Sequence, residues 1–589
     1  MRHSLSLVLS ASLLAAGCAT LENRSFQAAT QPEGASGYTQ KAGSATSKYA
    51  IATANPLATE AGYQILKSGG SALDAAIAVQ MVLTLVEPQS SGIGGGAFLL
   101  HWDGATVEAY DGRETAPATA DGALLLAPNG KPLSFHDAAV GGRAVGTPGL
   151  LKMLEMAHRE HGKLPWRKLF EPAIHLAEGG FRVSPRLNRL LTGESHLKTD
   201  PVARHYFYDP DGRPWPVGHL LKNPELAALL QRIGAEGSAA LLTGEVARDI
   251  VAKVRTHPTN PGRLNEQDLA AYQPKKREPF CTLWLSYRVC GFPPPSSGAI
   301  AVAQILGMLE YLPGDQPPLE NGLPSADFLH RYTEAARLAF ADRNQYLADP
   351  DFVPAPGGNW MSLVDQAYLR QRAALIGPRS MKTAQPGTPG AANAAWAPQP
   401  EQIEQGTSHV SIIDAAGQSV AMTSSIESAF GSRQMVRGFL LNNHLSDFSF
   451  VPADASGRPI ANRVEPGKRP RSTMSPTLVF DRATGALLIS VGSPGGALIA
   501  HYTAKTLLGT LAWGLNAQEA INLPNFGTVN GPTLLETKRF PATTVAALRA
   551  LGHEIREMPM VSGLQAIQRT PVSYFGAADP RREGEVMGE

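Results

Sequence analysis

Charge of one sign is missing from this sequence. The 52 Lys and Arg nearly cancel the 51 Asp and Glu, and no long basic run occurs, so the electrostatic footprint of a nucleic-acid binder is absent. Long apolar runs are missing too. The best stretch, residues 72–86, is broken by Asp74 and Gln80 and falls short of the roughly 18 uninterrupted apolar residues of a membrane helix. Cysteine is scarce, three in 589 residues. There is no Cys-x-x-Cys pair, Gly-x-Ser-x-Gly elbow, His-Glu-x-x-His pair or Gly-x-x-x-x-Gly-Lys-Ser/Thr loop, which excludes the commonest metal, nucleophile and phosphate signatures.

What is present describes a loop-rich globular protein, 43% apolar and 17% charged, with 58 Gly and 46 Pro. A single core stops growing near ~250–300 residues, so this length predicts two substructures or a multilayer fold. At the start, Arg2 and His3 precede an apolar stretch over 5–14, then Ala15-Ala16-Gly17-Cys18. The stretch suits a secretory signal, and the small residues ending in cysteine resemble a bacterial lipoprotein signal, although Ala15 departs from the usual branched aliphatic residue. The expectation is an exported, periplasmic protein with signal peptide 1–17 and a lipid on Cys18, held to the cell envelope, the outer membrane weakly preferred; an ordinary secretory signal is the alternative. Residues 18–48, rich in Ser, Thr, Gln, Gly and Ala, predict a flexible tether. Cys281 and Cys290 flank Leu285-Ser286, where a hairpin turn sets them opposite each other; a disulfide and two buried thiols both fit.

Helical periodicity covers 57–66 and 72–85, strand patterns 97–102 and 106–109, and an α-rich middle 149–220, 224–255 and 325–347. Residues 380–406 lose hydrophobic periodicity and read as an exposed loop. Beyond them, 409–413 and 419–425 alternate as strands around Asp414-Ala415-Ala416-Gly417-Gln418, with further strands at 438–441, 477–480 and 486–491 and helices at 498–511 and 517–522. Hairpins flanked by helices in sequence suit packed sheets between helical layers.

His158 and His161 stand one helical turn apart without a third ligand in sequence and read as a solvated helix face. The glycines of Ser90-Ser91-Gly92-Ile93-Gly94-Gly95-Gly96 lack dinucleotide spacing and read as tight backbone packing beside a site. The informative segment is Gly406-Thr407-Ser408-His409-Val410-Ser411-Ile412-Ile413-Asp414, a loop that delivers a threonine to the start of a strand. A threonine hydroxyl is a weak nucleophile, but if the preceding peptide bond is cut, its own α-amino group becomes a base within reach of Oγ. Gly406 on the leaving side tolerates the backbone conformation that such self-cleavage requires.

Several separated motifs make the chain resemble the γ-glutamyltransferase family of N-terminal-nucleophile hydrolases over nearly all of its length after the tether. They are Asp111-Gly112-Arg113-Glu114-Thr115-Ala116-Pro117, Pro293-Pro294-Pro295-Ser296-Ser297-Gly298, the Thr407-Ser408-His409 strand, Leu441-Asn442-Asn443 with Asp447-Phe448-Ser449, Lys468-Arg469-Pro470 running into Ser472-Thr473-Met474-Ser475-Pro476, and Gly492-Ser493-Pro494-Gly495-Gly496. The resemblance implies a four-layer αββα sandwich with an α-rich region, and autocatalytic cleavage of an inactive precursor into a large chain, 49–406, and a small chain, 407–589. It implies Thr407 as nucleophile, Gly495 and Gly496 as the oxyanion hole, Arg113 with Ser472 and Thr473 on a substrate α-carboxylate, and Asp447 on the α-ammonium. Implied substrates are γ-glutamyl amides such as glutathione, with water or an amino acid or dipeptide as acceptor; no metal or organic cofactor is required.

Some positions depart from the family pattern. Ser425 stands where a second Thr is frequent, and Thr473 where Ser is common; both keep a hydroxyl. Glu427 lies where many members have Asn, and as a strand residue would share the Ser425 face. His444 replaces an amide or acid near the α-amino group, and a protonated imidazole there would repel the ammonium. The Lys468-Arg469-Pro470-Arg471 run reads as solvated, with no catalytic role. Rival readings are a glutaryl-type cephalosporin acylase of the same fold and a non-catalytic envelope lipoprotein. Asp447 and Glu427 speak against the acylase, since an uncharged substrate end leaves their carboxylates without a partner.

Overall fold

A two-sheet core is built around the Thr407 segment. In the computed structural model, which describes residues 35–390, 395–400, 402, 404 and 406–589, the strands Ser408–Ile413 and Ser419–Ser425 pair antiparallel with Ser408 opposite Ser424 and Ile413 opposite Ser419. Asp414 closes the turn, its Oδ1 accepting from the Ala416 and Gln418 amides at 2.9 and 3.1 Å. Its other oxygen accepts from the Ala72 amide at 3.0 Å, tying the hairpin to the start of the helix Ala72–Val86. The hairpin lies inside a seven-stranded sheet, ordered Glu585–Gly588, Ala50–Thr53, Ser408–Ile413, Ser419–Ser425, Gly96–Trp102, Val107–Asp111, Lys275–Arg277. A second seven-stranded sheet runs Ser44–Thr46, Tyr574–Ala578, Gln565–Arg569, Leu487–Gly492, Thr477–Asp481, Tyr287–Gly291, Phe280–Trp284.

Period-two alternation divides each strand between two cores. Ala52, Phe98, Leu100, Trp102 and Ala421 of the first sheet meet Cys290, Leu478, Phe480 and Ile567 of the second in one buried cluster. On its other face the first sheet packs Leu99, Val410 and Ile412 against the helices Pro56–Lys67, Ala72–Val86 and Leu150–His161. The second sheet packs Val479, Ile489 and Val491 against Gly298–Leu309, Ala326–Tyr346 and Ile499–Leu507. Helix, sheet, sheet, helix is the αββα order. Among the described residues no helix is long and apolar enough to cross a membrane.

Three readings of the sequence need correction here. The end of the stretch read as tether is part of the body: Ser44–Thr46 pairs with Tyr574–Ala578, and the Ser36 and Thr39 amides donate to the Arg581 and Pro580 carbonyls. Cys18 and the expected signal lie outside the described residues. The loop read as exposed buries Ala384, Ala397 and Gln399. The basic run read as solvated is interior: Lys468, Arg469 and Arg471 are at most 3% exposed. Lys468 Nζ is held by the Ala461 carbonyl and Glu465, and Arg469 Nη2 by the Gln273 carbonyl at 2.8 Å. Cys281 and Cys290, register partners in the Phe280–Trp284 and Tyr287–Gly291 hairpin, are joined by a disulfide.

Candidate active site

Thr407 immediately precedes its strand and is 2% exposed. Its side chain follows the parity of His409 and Ser411, which face the second sheet: Ser411 Oγ donates to the Gln565 carbonyl at 3.2 Å. Thr407 Oγ1 is in hydrogen-bond contact with the carbonyl oxygen of Gly406. That oxygen also accepts from Ser425 Oγ at 3.1 Å. Continuing the hairpin register one step past Ser408 and Ser424 sets Thr407 opposite Ser425, so the pairing of the strands delivers this second hydroxyl. Gly406 has φ +68, and a Cβ on it would lie 1.5 Å from the Glu427 carbonyl oxygen, so only glycine fits there.

His409, although two residues from Thr407, is not positioned as a base for its hydroxyl. It is fully enclosed, bonded to Thr423 Oγ1 at 2.8 Å and Ser411 Oγ at 3.1 Å, and burial depresses its pKa to about 3. Arg582, also buried, donates from Nη1 to the Thr407 carbonyl at 3.2 Å and holds the strand entrance.

A small pocket opens on Thr407 and is lined by Arg113, Gly406, Ser425, Glu427, His444, Asp447, Ser472, Thr473 and Gly496. These are the residues singled out in the sequence, Gly495 excepted, which adjoins Gly496; Glu404, Met474 and Ile499 complete the wall. Gly495 and Gly496 have φ +135 and +58, a left-handed succession that opens the way to the helix Ile499–Leu507 and that side-chain-bearing residues rarely adopt.

Arg113 Nη2 pairs with Asp447 Oδ2, while its Nε and Nη2 donate to the Pro470 and Arg471 carbonyls at 3.2 and 3.1 Å. Burial pushes the Asp447 carboxyl above its ordinary range, against the pull of Arg113. Glu427 does not continue the strand as expected. The strand stops at Ser425, and Glu427 turns into the pocket with φ +77, its amide donating to Ser425 Oγ at 2.7 Å and its Oε2 accepting from Asn443 Nδ2 at 3.2 Å. His444 is buried, with Nδ1 2.8 Å from Glu114 Oε1. Burial, reinforced by Arg113, holds its pKa well below the usual imidazole value, so the feared positive charge is absent near neutral pH. Glu114 is pushed up to about 8 by burial, against Arg113 at 3.6 Å, which keeps a second charge from facing that imidazole near neutral pH.

Sequence reasoning missed Glu404, three positions before Thr407. Burial raises a carboxyl pKa, but Arg343 and Arg471 outweigh it and hold Glu404 below its ordinary range; Thr473 Oγ1 donates to its Oε2 at 2.6 Å. Arg343 also donates from Nε to Ser297 Oγ at 2.9 Å and from Nη2 to Thr473 Oγ1 at 2.6 Å, linking the Ser296-Ser297 and Ser472-Thr473 motifs. The carboxylate's local signal was nil, an acid in a Pro- and Gln-rich loop. The glycines read as close packing do serve that end, since a Cβ on Gly95 would sit 2.1 Å from the Ser425 carbonyl oxygen.

Comparison with known proteins agrees with this geometry. The family model described as gamma-glutamyltranspeptidase matches residues 58–589. The glutathione hydrolase proenzyme of Bacillus subtilis (strain 168) is 33% identical over 552 residues, 91% of each chain, and that of Escherichia coli (strain K12) is 34% identical over 541 residues, 90% of each. Among solved structures, a cephalosporin acylase from Bacillus halodurans superposes with a TM-score of 0.81 at 26% identity, covering 94% of this chain and 97% of that one. With the family model spanning nearly all of the described body and these identities over nine-tenths of both partners, the chain belongs to the γ-glutamyltranspeptidase family.

Proposed function

We propose that the protein is a self-processing enzyme that cleaves γ-glutamyl amides such as glutathione and passes the acyl group to water or to an amino acid or dipeptide amine. The observation that carries this is the contact of Thr407 Oγ1 with the Gly406 carbonyl, which Ser425 Oγ also holds. In the first event Thr407 Oγ attacks the Gly406 carbonyl carbon and its proton passes to the departing Thr407 nitrogen. Water then hydrolyses the resulting ester, leaving a Gly406 carboxylate, a free Thr407 α-amine, and two chains, one that ends at Gly406 and still carries the tether, and one that spans 407–589.

In the mature enzyme that amine accepts the Oγ proton while Oγ attacks the γ-carbonyl of the donor, and the amine leaving group departs with a proton. Water or an acceptor amine then opens the γ-glutamyl ester. Gly495 and Gly496 amides would hold the oxyanion, a task for which close backbone approach suits glycine. Arg113, Ser472 and Thr473 would take the donor α-carboxylate; Asp447 and Glu427, with neutral His444 beside them, would take the α-ammonium. A zwitterion answers both halves of the Arg113–Asp447 pair at once, whereas a glutaryl group answers only one. The formed Cys281–Cys290 bridge supports an exported, envelope location, with lipid on Cys18 as the proposed anchor.

N-terminal sequencing of the smaller fragment tests the mechanism: it should begin at Thr407, and Thr407→Ala should remain one band. The likeness to the cephalosporin acylase keeps one second reading in view, a glutaryl acylase. Paired γ-glutamyl and glutaryl anilide assays decide between them, and faster turnover of the glutaryl compound would reverse the substrate assignment.

A further inference from the structure

One cluster of side chains away from the pocket has no part in this chemistry. His101, on the strand Gly96–Trp102, and Glu108, on Val107–Asp111, are cross-strand partners. Phe98, Leu100 and Trp102 take the inter-sheet core, so by alternation His101 and Glu108 face the helices. There the last residue of the helix Leu150–His161 meets them: His161 Nε2 is 2.5 Å from Glu108 Oε2, and its ring centroid is 4.1 Å from that of His101. One nitrogen of each imidazole and one oxygen of the carboxylate all lie within 4.8 Å of one another.

His101 is the telling member. It is wholly buried, 0% exposed, and neither Nδ1 nor Nε2 has a hydrogen-bond partner. A buried polar group left unsatisfied is destabilising, and the neighbouring positions on this face of the strand, Ala97 and Leu99, are apolar. Packing alone would be better served by another apolar residue. We propose that His101, Glu108 and His161 form a binding site for a divalent first-row transition ion of the zinc class, two imidazoles and one carboxylate being donors such ions favour.

The surroundings suit that assignment. Lys276 Nζ lies 2.6 Å from Glu108 Oε1 and 2.6 Å from Glu160 Oε2, orienting the carboxylate and leaving Oε2 on the side of the imidazoles. Tyr110 OH donates to Glu108 Oε2 at 2.6 Å and is 3.0 Å from His161 Nε2, at the edge of the same cluster. Glu108 and His161 are each about one-fifth exposed or less, so an ion has an entry path. His158, paired with His161 in the sequence reading, goes elsewhere, to the Leu164 carbonyl at 2.9 Å.

A second group of the same donor types shows what such a cluster looks like when it is already satisfied. His330 Nδ1 bonds His553 Nε2 at 2.7 Å, their other nitrogens reach the Gly377 carbonyl and Thr533 Oγ1, and Glu334 takes Arg337 and the Met381 amide. In the His101 group Glu108 and His161 bond each other and Tyr110, but both nitrogens of His101 are left without a partner. Its ion would pin the end of the Leu150–His161 helix to the hairpin whose second strand ends at Asp111, two residues before Arg113, and so would stabilise the arm that carries that arginine.

Purified full-length protein, stripped with chelator and titrated with Co2+ alone, tests the assignment. We expect one Co2+ per chain with a visible ligand-field absorption, its displacement by Zn2+, and a higher melting temperature with either ion. Glu108→Gln and His161→Asn should each weaken Co2+ binding by about a hundredfold or more with unchanged circular dichroism, while His553→Asn retains it. Absence of saturable absorption, or a signal that survives His161→Asn, would overturn the site.

Discussion

The Arg113 guanidinium lies against the Asp447 carboxylate, Nη2 on Oδ2, both side chains buried in the pocket that opens on Thr407. Before any donor arrives, the two opposite charges proposed to read a zwitterion neutralise each other. Removing one leaves the other buried without a partner, which costs more than the pair contributes. Asp447→Asn should therefore lower kcat/KM for a γ-glutamyl anilide by at least about thirtyfold, from a loss of about 2–5 kcal/mol, chiefly through KM. Unchanged donor KM would remove Asp447 from the ammonium site.

Self-cleavage depends on how the Gly406 carbonyl is held. Ser425→Ala deletes the hydroxyl that donates to it at 3.1 Å and should slow conversion to two chains by about 10²–10³-fold, the effect typical of removing an oxyanion donor. Gly406→Ala should block conversion outright, because its Cβ would collide with the Glu427 carbonyl. Timed gels of freshly expressed protein measure both; Ser425→Ala processed at the wild-type rate contradicts the proposed role.

His444 gives a prediction about pH. Its imidazole stays neutral well below the ordinary 6.5 because burial and Arg113 both oppose the proton. Wild type and His444→Gln should thus show parallel donor KM profiles between about pH 6 and 8. An inflection near pH 6.5 present only in the wild type would mean that the imidazole does ionise in the site.

Glu114 makes an opposite demand on stability. Its folded pKa of about 8 stands above the ordinary 4.5, so below 4.5 folded and unfolded chains are both protonated and the group adds no pH dependence. As pH rises from there towards 8, the unfolded chain releases its proton first, and stability falls across that window. In the uncleaved Thr407→Ala background, the melting temperature should drop with rising pH more steeply than in the double variant carrying Glu114→Gln. Identical slopes would show that Glu114 is ionised in the folded protein.

Much of the site was legible locally. The turn at Asp414–Gln418 sets the hairpin register, and that register alone puts Ser425 across from Thr407. The alternation of residues 409–413 and 419–425 identified the central strands. The closing strands Gln565–Arg569, Tyr574–Ala578 and Glu585–Gly588 went unread because they are short, interrupted by glycine and polar residues, and take their order from pairing with distant strands. The basic run at Lys468–Arg471 misled because charge usually means solvent; here Asp111, Glu465 and backbone carbonyls supply the partners that make burial tolerable.

By itself the sequence singled out Thr407, the glycine that precedes it, the strand pattern that carries it and the motifs shared with the γ-glutamyltranspeptidase family, all of them properties of neighbouring residues. Only the tertiary structure decided that Glu404 is gripped by Arg343 and Arg471, that His444 is uncharged, and that His101, Glu108 and His161 converge. Ionisation and ligation depend on desolvation and on distances of a few ångströms between segments far apart in the chain, and no local pattern of residues encodes either.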